Sequence, residues 1–277
     1  MAPELLSEAG LPANVGMTGA PNGFPSIRIL ETRVDMVGIP GIMDTMSRWI
    51  ETEPDRVHHV VNTGMHGIML AHKDQRFSET LESADLLAPD GILAILIARL
   101  RGHRIKKQDT GPDLLWRFSE IANLLGYKYF FYGDTNETLE LLSSKINLEF
   151  PGLCIVGAIS PPFSRALTPE EDAEMVDKIN KSGADVLWVG LGMPTQDQWI
   201  YDHRRVLKVP VAVGTGASFK FASGTVSRAP TQVQNLGFEW LWRLIQEPKR
   251  VWRRVFLDSP LFIALVLLQL TGIRKFN

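Results

Sequence analysis

Asp90 stands in the string ADLLAPDG (residues 84–91), directly after an apolar run and a proline and directly before Gly91. A carboxylate in that place has two uses. It can cap a helix starting near Ile92, or it can draw a proton from a bound hydroxyl as a general base. Position alone leaves both open. A second useful string is VGLGMPTQDQW (189–199), where Gly190 ends an apolar run, Pro194 can open a helix and Gln196 falls in its first turn. The Gln196 carboxamide can donate to and accept from a sugar hydroxyl or a phosphate; the competing reading is that Thr195 or Gln196 only satisfies free helix-end amides. A third string, NLGFEWLWRLIQEPKRVWRRVF (235–256), repeats arginine at 243, 250 and 253. If the interruption at Pro248 is mild, that spacing puts Arg243, Arg250 and Arg253 on one helical face. Guanidinium forks there suit the oxygens of a departing diphosphate, and a solvated basic face with core tryptophans is the alternative.

These groups need a frame. From residue 57 onward, strand-like runs alternate with helical patterns: VHHVVN (57–62), DLLAP (85–89), YKYFFYG (127–133), LCIVGAI (153–159), DVLWVGLG (185–192) and VPVAVGTG (209–216). Between them lie amphipathic stretches such as GILAILIARL, DLLWRFSEIANLLG and DAEMVDKINKSG. Thr168-Pro169-Glu170-Glu171 has the form of a capping box, and Asp134 with Glu137 repeats its spacing. Near-continuous apolar strands separated by helices predict an α/β, Rossmann-like, mostly parallel sheet with helices on both faces. In such sheets ligands bind beyond the carboxyl ends of the strands. Those ends are expected at Asn62-Thr63-Gly64, Asp90-Gly91, Gly133, Gly157, Gly190 with Gly192, and Gly214 with Gly216. Glycine there lets backbone amides approach a ligand closely.

The 277 residues carry a net charge of −2, with 45% hydrophobic and 22% charged residues, as in an ordinary globular protein with no bulk affinity for polyanions such as nucleic acid. The charge is uneven. Residues 236–277 hold seven basic side chains against three acidic ones, a local +4 beside −6 for the rest. With Trp240, Trp242, Trp252 and the apolar run PLFIALVLLQL (260–270), this reads as a basic and apolar C-terminal appendage that lies on a membrane surface. The run is about half the ~20 residues needed to span a bilayer. Residues 1–24, without Lys or Arg, read as a flexible N-terminal arm and lack the basic start of a signal peptide. Residues 25–235 form the expected catalytic domain, and removing residues 236–277 should leave a soluble body with poor activity. The single cysteine, Cys154, lies in LCIVG and is expected to be a buried structural thiol. Apolar, partly exposed tails also allow a homo-oligomer.

Rival chemistries have weaker support. The first strand of the alternation ends in NTGMHG rather than Gly-x-Gly-x-x-Gly, and no Walker A loop occurs. The six histidines show no zinc spacing, and adjacent His58 and His59 would point to opposite faces of a strand. No Asp-x-Asp metal clamp is present, so a metal-independent transfer would need fixed cations to hold a leaving diphosphate.

ADLLAPDG, TGPDLL, the Gly133 strand end, VGLGMPTQDQW, GTGASF, SGTVSRAP and GFEWLWRLIQEPKRVWRR, in this order over most of residues 60–256, resemble the WecG/TagA/CpsF glycosyltransferases, glycosyltransferase family 26. The resemblance implies inverting transfer of a sugar from a UDP-sugar to a polyprenyl-diphosphate-linked sugar acceptor. It also implies work at the cytoplasmic face of the plasma membrane, in surface polysaccharide biosynthesis, without a cofactor. It casts Asp90 as the general base, Asn62 and Gln196 as polar residues of the sugar pocket, and Arg243, Arg250 and Arg253 as appendage arginines over the diphosphate. Thr110 and Gly111 of TGPDLL, Lys220 after GTGASF, and Arg228 of SGTVSRAP are the further binding positions it marks, beside Thr63 and the strand-end glycines. Three places depart from the family pattern: Val60 replaces a threonine, Lys107-Gln108-Asp109 replaces Glu-Arg-Val, and Lys220 replaces an aspartate. All three fall near the expected donor pocket, which opens it to other hexoses or to a uronic acid whose charge Lys220 would suit. An NAD(P)-dependent oxidoreductase on the same sheet and a non-catalytic nucleotide-sugar binder are the alternatives.

Overall fold

The computed structural model describes residues 22–91, 96–97, 99, 111–162, 165–230, 233, 239–274 and 276. Its first strands, β1 (Ser26–Ile29) and β2 (Thr32–Asp35), form an antiparallel hairpin. The main sheet contains β3 (His58–Thr63), β4 (Leu86–Pro89), β5 (Lys128–Gly133), β6 (Cys154–Ile159), β7 (Val186–Gly190) and β8 (Val211–Gly214). Its order is β4-β3-β8-β7-β5-β6 and every pairing is parallel. All six strand-like runs became strands because both faces of each inner strand can be covered. The helices of the body are α1 (Ile39–Thr52), α2 (Met65–Lys73), α3 (Gln75–Glu82), α4 (Gly111–Leu125), α5 (Asn136–Glu149), α6 (Pro169–Ser182), α7 (Thr195–His203) and α8 (Ser218–Ser223). They are followed by α9 (Glu239–Gln246), α10 (Pro248–Arg253), a π-helical turn (Arg254–Asp258) and α11 (Ser259–Leu270).

Two buried layers sandwich the sheet. On one face Val60, Tyr129, Trp188 and Val213 pack with Met46 of α1, Phe118 of α4, Leu142 of α5 and Phe219 of α8. On the other, Phe130, Leu187 and Ala212 meet Ile179 of α6 and Ile200 of α7, while Val61 and Leu87 meet Ala71 of α2 and Phe77 of α3. His58 and His59 point to opposite faces, as expected: His58 stacks on Trp49 at 4.2 Å, and His59 reaches Asp197 of α7.

The hairpin was not foreseen in the sequence, and it has a definite job. β4 is an edge strand, and Asp35 accepts the Leu87 amide at 2.9 Å while Arg33 donates to the Ala84 carbonyl at 2.7 Å. The hairpin so covers an edge that would otherwise invite another strand. Asn22, within the expected N-terminal arm, donates to Asp35 and to the Asp85 carbonyl, so residues 22–24 are tied to the body; residues 1–21 of that arm lie outside the described residues.

The C-terminal segment is corrected in two ways. Glu247 leaves the helical conformation (φ −128°, ψ 60°), so Arg243 and Arg250 belong to two separate helices, α9 and α10. Phe262, Leu265 and Val266 of α11 are buried with Ile27, Leu30 and Val34 of the hairpin region and Ile68 and Met69 of α2. Gln269 clasps the hairpin turn, accepting from the Leu30 amide at 2.9 Å, and Lys73 pairs with Asp258 at 2.7 Å. Deleting residues 236–277 would therefore uncover a core rather than free a tail. The outer face keeps Phe256, Leu257, Leu261, Ile263, Leu267 and Ile273 exposed. Among the described residues no helix is long and apolar enough to cross a membrane.

Three smaller expectations also change. The cap of α5 is Thr135, which accepts from the Thr138 amide, while the Asp134 amide extends the sheet by donating to the Gly190 carbonyl. Gly157 lies inside β6 rather than at its end, where a Cβ would stand 2.3 Å from the Phe130 ring. Cys154 is exposed, because it opens the edge strand β6. The capping box at Thr168 and Glu171 forms as expected.

Asp85 pins the amino ends of β3 and β4, accepting from the His59 amide at 2.9 Å and pairing with Arg56. Burial pushes its carboxyl up, but His58, the His59 amide and Arg56 outweigh that and hold it below the usual 3.8. Its stabilisation is therefore present above the unfolded value and lost as pH falls through the folded one. Asp85→Ala should cost about 1.5–3 kcal/mol near neutral pH. Urea unfolding should show the gap to wild type closing below about pH 4.

Candidate active site

Parallel strands put their carboxyl ends on one rim. In register, Thr63 pairs with Pro89, Val61 with Gly214, Val189 with Gly214, and Gly133 with Gly190. The rim thus brings together Asn62, Thr63, Asp90, Gly214, Gly190 and Gly133. The chain parts above Gly214: α8, which follows β8, packs on one face, while α2 after β3 and α7 after β7 pack on the other. A parting of this kind opens a crevice at the strand ends.

The floor of the crevice is made of close approaches. The Asp90 amide donates to the Thr63 carbonyl at 2.7 Å, which extends the β3–β4 pairing by one residue and holds Asp90 at the rim, half-buried. A Cβ on Gly64 would lie 2.3 Å from the Asp90 carbonyl oxygen, so only glycine lets the two turns pass. Gly133 has φ 122°, and a Cβ there would stand 2.5 Å from the Gly190 carbonyl carbon. At Gly214 a Cβ would meet Asp197 Oδ1 at 2.2 Å and Gln196 Nε2 at 2.8 Å.

Gln196 sits in the first turn of α7, as the sequence predicts, and is buried. Its Oε1 accepts from the Gly216 amide at 2.7 Å, which commits the carbonyl end to the framework and leaves the amide end for a ligand. Asn62 Nδ2 and Thr63 Oγ1 are buried and, among the described residues, without a hydrogen-bond partner. Asn62 is half-buried, so its amide can meet a ligand, whereas Thr63 is wholly buried with its Oγ1 under α2, where a Cβ on Gly67 would stand 2.2 Å from it. Beside the rim, burial and the nearby Asp172 carboxylate push Tyr132 up to about 12, so it stays a neutral phenol.

The remaining positions are more scattered. Gly91, Gly192 and Gly216 take positive φ in the loops of the rim. Thr110, Lys107, Gln108 and Asp109 lie outside the described residues, and Gly111 opens α4. Arg228 grips Asp113 of α4 through two bonds of 2.7 and 2.9 Å, tying the stretch after α8 to α4. Lys220 is half-buried on α8, and Val60 is packed in the core. The side chains of Arg243 and Arg250 lie outside the described residues, while Arg253 lies over the Trp252 ring at 5.5 Å. Asp197 and Asp113 escaped notice in the sequence, and His59 was read only for its facing on a strand. Asp197 stands inside the quoted PTQDQW string, but nothing in a lone acid announces burial. Among the described residues, no three His, Cys, Asp or Glu side chains converge to hold a metal ion.

Compared with known protein families, residues 27–275 match the glycosyl transferase WecG/TagA/CpsF family. The chain belongs to this family. It is a glycosyltransferase, and a nicotinamide-dependent enzyme on the same sheet is set aside. Similar proteins include the N-acetylglucosaminyldiphosphoundecaprenol N-acetyl-beta-D-mannosaminyltransferases of Bacillus spizizenii and Bacillus subtilis. The first is 33% identical over 197 residues and the second 32% over 198, each match covering 71% of this chain and 74% of the relative. The enzyme of the same name from Staphylococcus aureus strain MW2 is 24% identical over 228 residues, 80% of this chain and 87% of the relative. As a WecG/TagA/CpsF enzyme the chain should depend on its crevice floor. Gly214→Ala must push back both Asp197 and Gln196, and should cost about 1–3 kcal/mol in urea unfolding.

Proposed function

We propose that this WecG/TagA/CpsF enzyme transfers a sugar from a UDP-sugar to a polyprenyl-diphosphate-linked sugar, with inversion and without a metal. The reading is carried by Asp90 and Asn62 at the adjacent ends of β4 and β3, with Gln196 in the first turn of α7 against Gly214 of β8, above a glycine floor. The relatives' names describe transfer of N-acetylmannosamine to N-acetylglucosaminyl-diphospho-undecaprenol, which makes a polyprenyl-diphosphate acceptor the natural first choice.

In this reading the acceptor hydroxyl attacks the anomeric carbon from the side opposite the nucleotide. The new glycosidic bond forms as the bond to UDP breaks, the proton passes to the Asp90 carboxylate, and UDP leaves as its anion. One displacement inverts the anomeric centre. Asn62 and the Gln196 amide hold the donor sugar. Arg243, Arg250 and Arg253 supply the positive charge that gathers on the diphosphate as it departs. The exposed apolar face of α11 with Trp252 and Phe256, beside the basic segment, keeps the enzyme at the cytoplasmic membrane surface where the lipid acceptor lies.

Asp90→Asn should lower transfer about 10²–10⁴-fold while UDP binding and melting temperature stay near wild type. The assay is a panel of UDP-N-acetylhexosamines, UDP-hexoses and UDP-uronic acids with a polyprenyl-diphosphate-linked N-acetylglucosamine. Near-wild-type turnover by this variant would remove Asp90 from the chemistry. Turnover should also survive EDTA. Replacing Phe256, Ile263 and Leu267 together by serine, all on the outer face, should abolish co-sedimentation with anionic vesicles without lowering the melting temperature.

A further inference from the structure

We propose that Asp197, paired with His59, is a positioning residue that acts through Gln196 to shape the donor pocket; this rests on the transfer reading above. Asp197 is wholly buried in the first turn of α7, and neither carboxylate oxygen has a hydrogen-bond partner among the described residues. His59 Nε2 lies 3.5 Å from Asp197 Oδ1 and is likewise buried without a hydrogen bond. A carboxylate shut away from water is costly unless a charge answers it. Here the His59 ring, 3.5 Å away, and the amino end of α7 are the groups within reach of it.

The place of the pair shows what it holds. His59 is on β3, three residues before Asn62, and its backbone amide is fixed by Asp85. Asp197 is on α7, next to Gln196. β8 runs between the two elements, pairing His59 with Ala212 and Val61 with Gly214. Asp197 Oδ1 and Gln196 Nε2 rest on the same face of the Gly214 α-carbon. The pair thus sets how the first turn of α7 sits on Gly214 and how its amide end stands relative to Asn62. A framework role alone would need none of this proximity to Gln196.

The test is a double-mutant cycle on the full chain with transfer kinetics and thermal melting. Asp197→Asn keeps the volume and removes the charge. It should raise the KM for the donor about tenfold with kcat within about threefold and the fold intact. In the Gln196→Ala background the same change should add almost nothing, because its route is already cut. His59→Gln should behave like Asp197→Asn and serves as the second probe if that variant melts early. Losses that multiply undiminished in the Gln196→Ala background, or unfolding of both single variants, would assign the pair to the framework and overturn the inference. A wild-type chain that transfers from no UDP-sugar would instead sink the transfer reading beneath it.

Discussion

Six strands running one way, with glycine where their ends crowd together, are the constraint on which the rest depends. Parallel pairing forces every carboxyl end onto one rim, so groups more than a hundred residues apart in sequence become neighbours. The crowding is severe at three points: Gly64 against the Asp90 carbonyl, Gly133 against the Gly190 backbone, and Gly214 beneath Asp197 and Gln196. A single added methyl at any of these places would force the facing atoms to shift. In the proposed transfer a displaced Asp90 or Gln196 would cost rate steeply, so this packing fixes the tolerance of the site.

Beside the rim, one edge of the sheet is covered and its cover is itself braced. β4 is closed by the hairpin through Asp35 and Arg33, which also steadies the strand leading to Asp90. Burial, only partly offset by the Leu87 amide, Arg33 and Asn22, pushes the Asp35 carboxyl up, and so it works as a short internal staple rather than a surface charge. α11 then leans on the same hairpin with Gln269 and its inner apolar residues, while its outer face stays apolar and open. This exposed apolar surface is thereby coupled to the body through α2, the helix that leaves directly from Asn62-Thr63-Gly64.

The strand pattern was legible because near-continuous apolar runs such as DVLWVGLG can only be buried on both faces. The strand-end residues followed from direction alone: Asn62, Asp90, Gly190 and Gly214 reach the rim as read. What stayed hidden depended on partners far away in the chain. The hairpin at 26–35 is too short and too mixed in character to stand out, and its meaning lies in β4. Gly157 resembled a strand end until the Phe130 ring explained it as an interior contact. Cys154 looked buried from its apolar neighbours, yet edge position leaves it exposed. The shared face of arginines 243, 250 and 253 hung on a mild interruption at Pro248, and the break at Glu247 is not mild. Asp197 was invisible as a special residue, since burial of a lone acid is a property of the whole packing.

A crystal structure of the complex with an unreactive UDP-sugar tests the central claim most directly. The account predicts the diphosphate lying over the loops at Gly190–Gly192 and Gly214–Gly216, the sugar between Asn62 and Gln196, and an Asp90 oxygen on the open side of the anomeric carbon. A nucleotide seated at the opposite ends of the strands, or an Asp90 carboxylate turned away from the sugar, would contradict it.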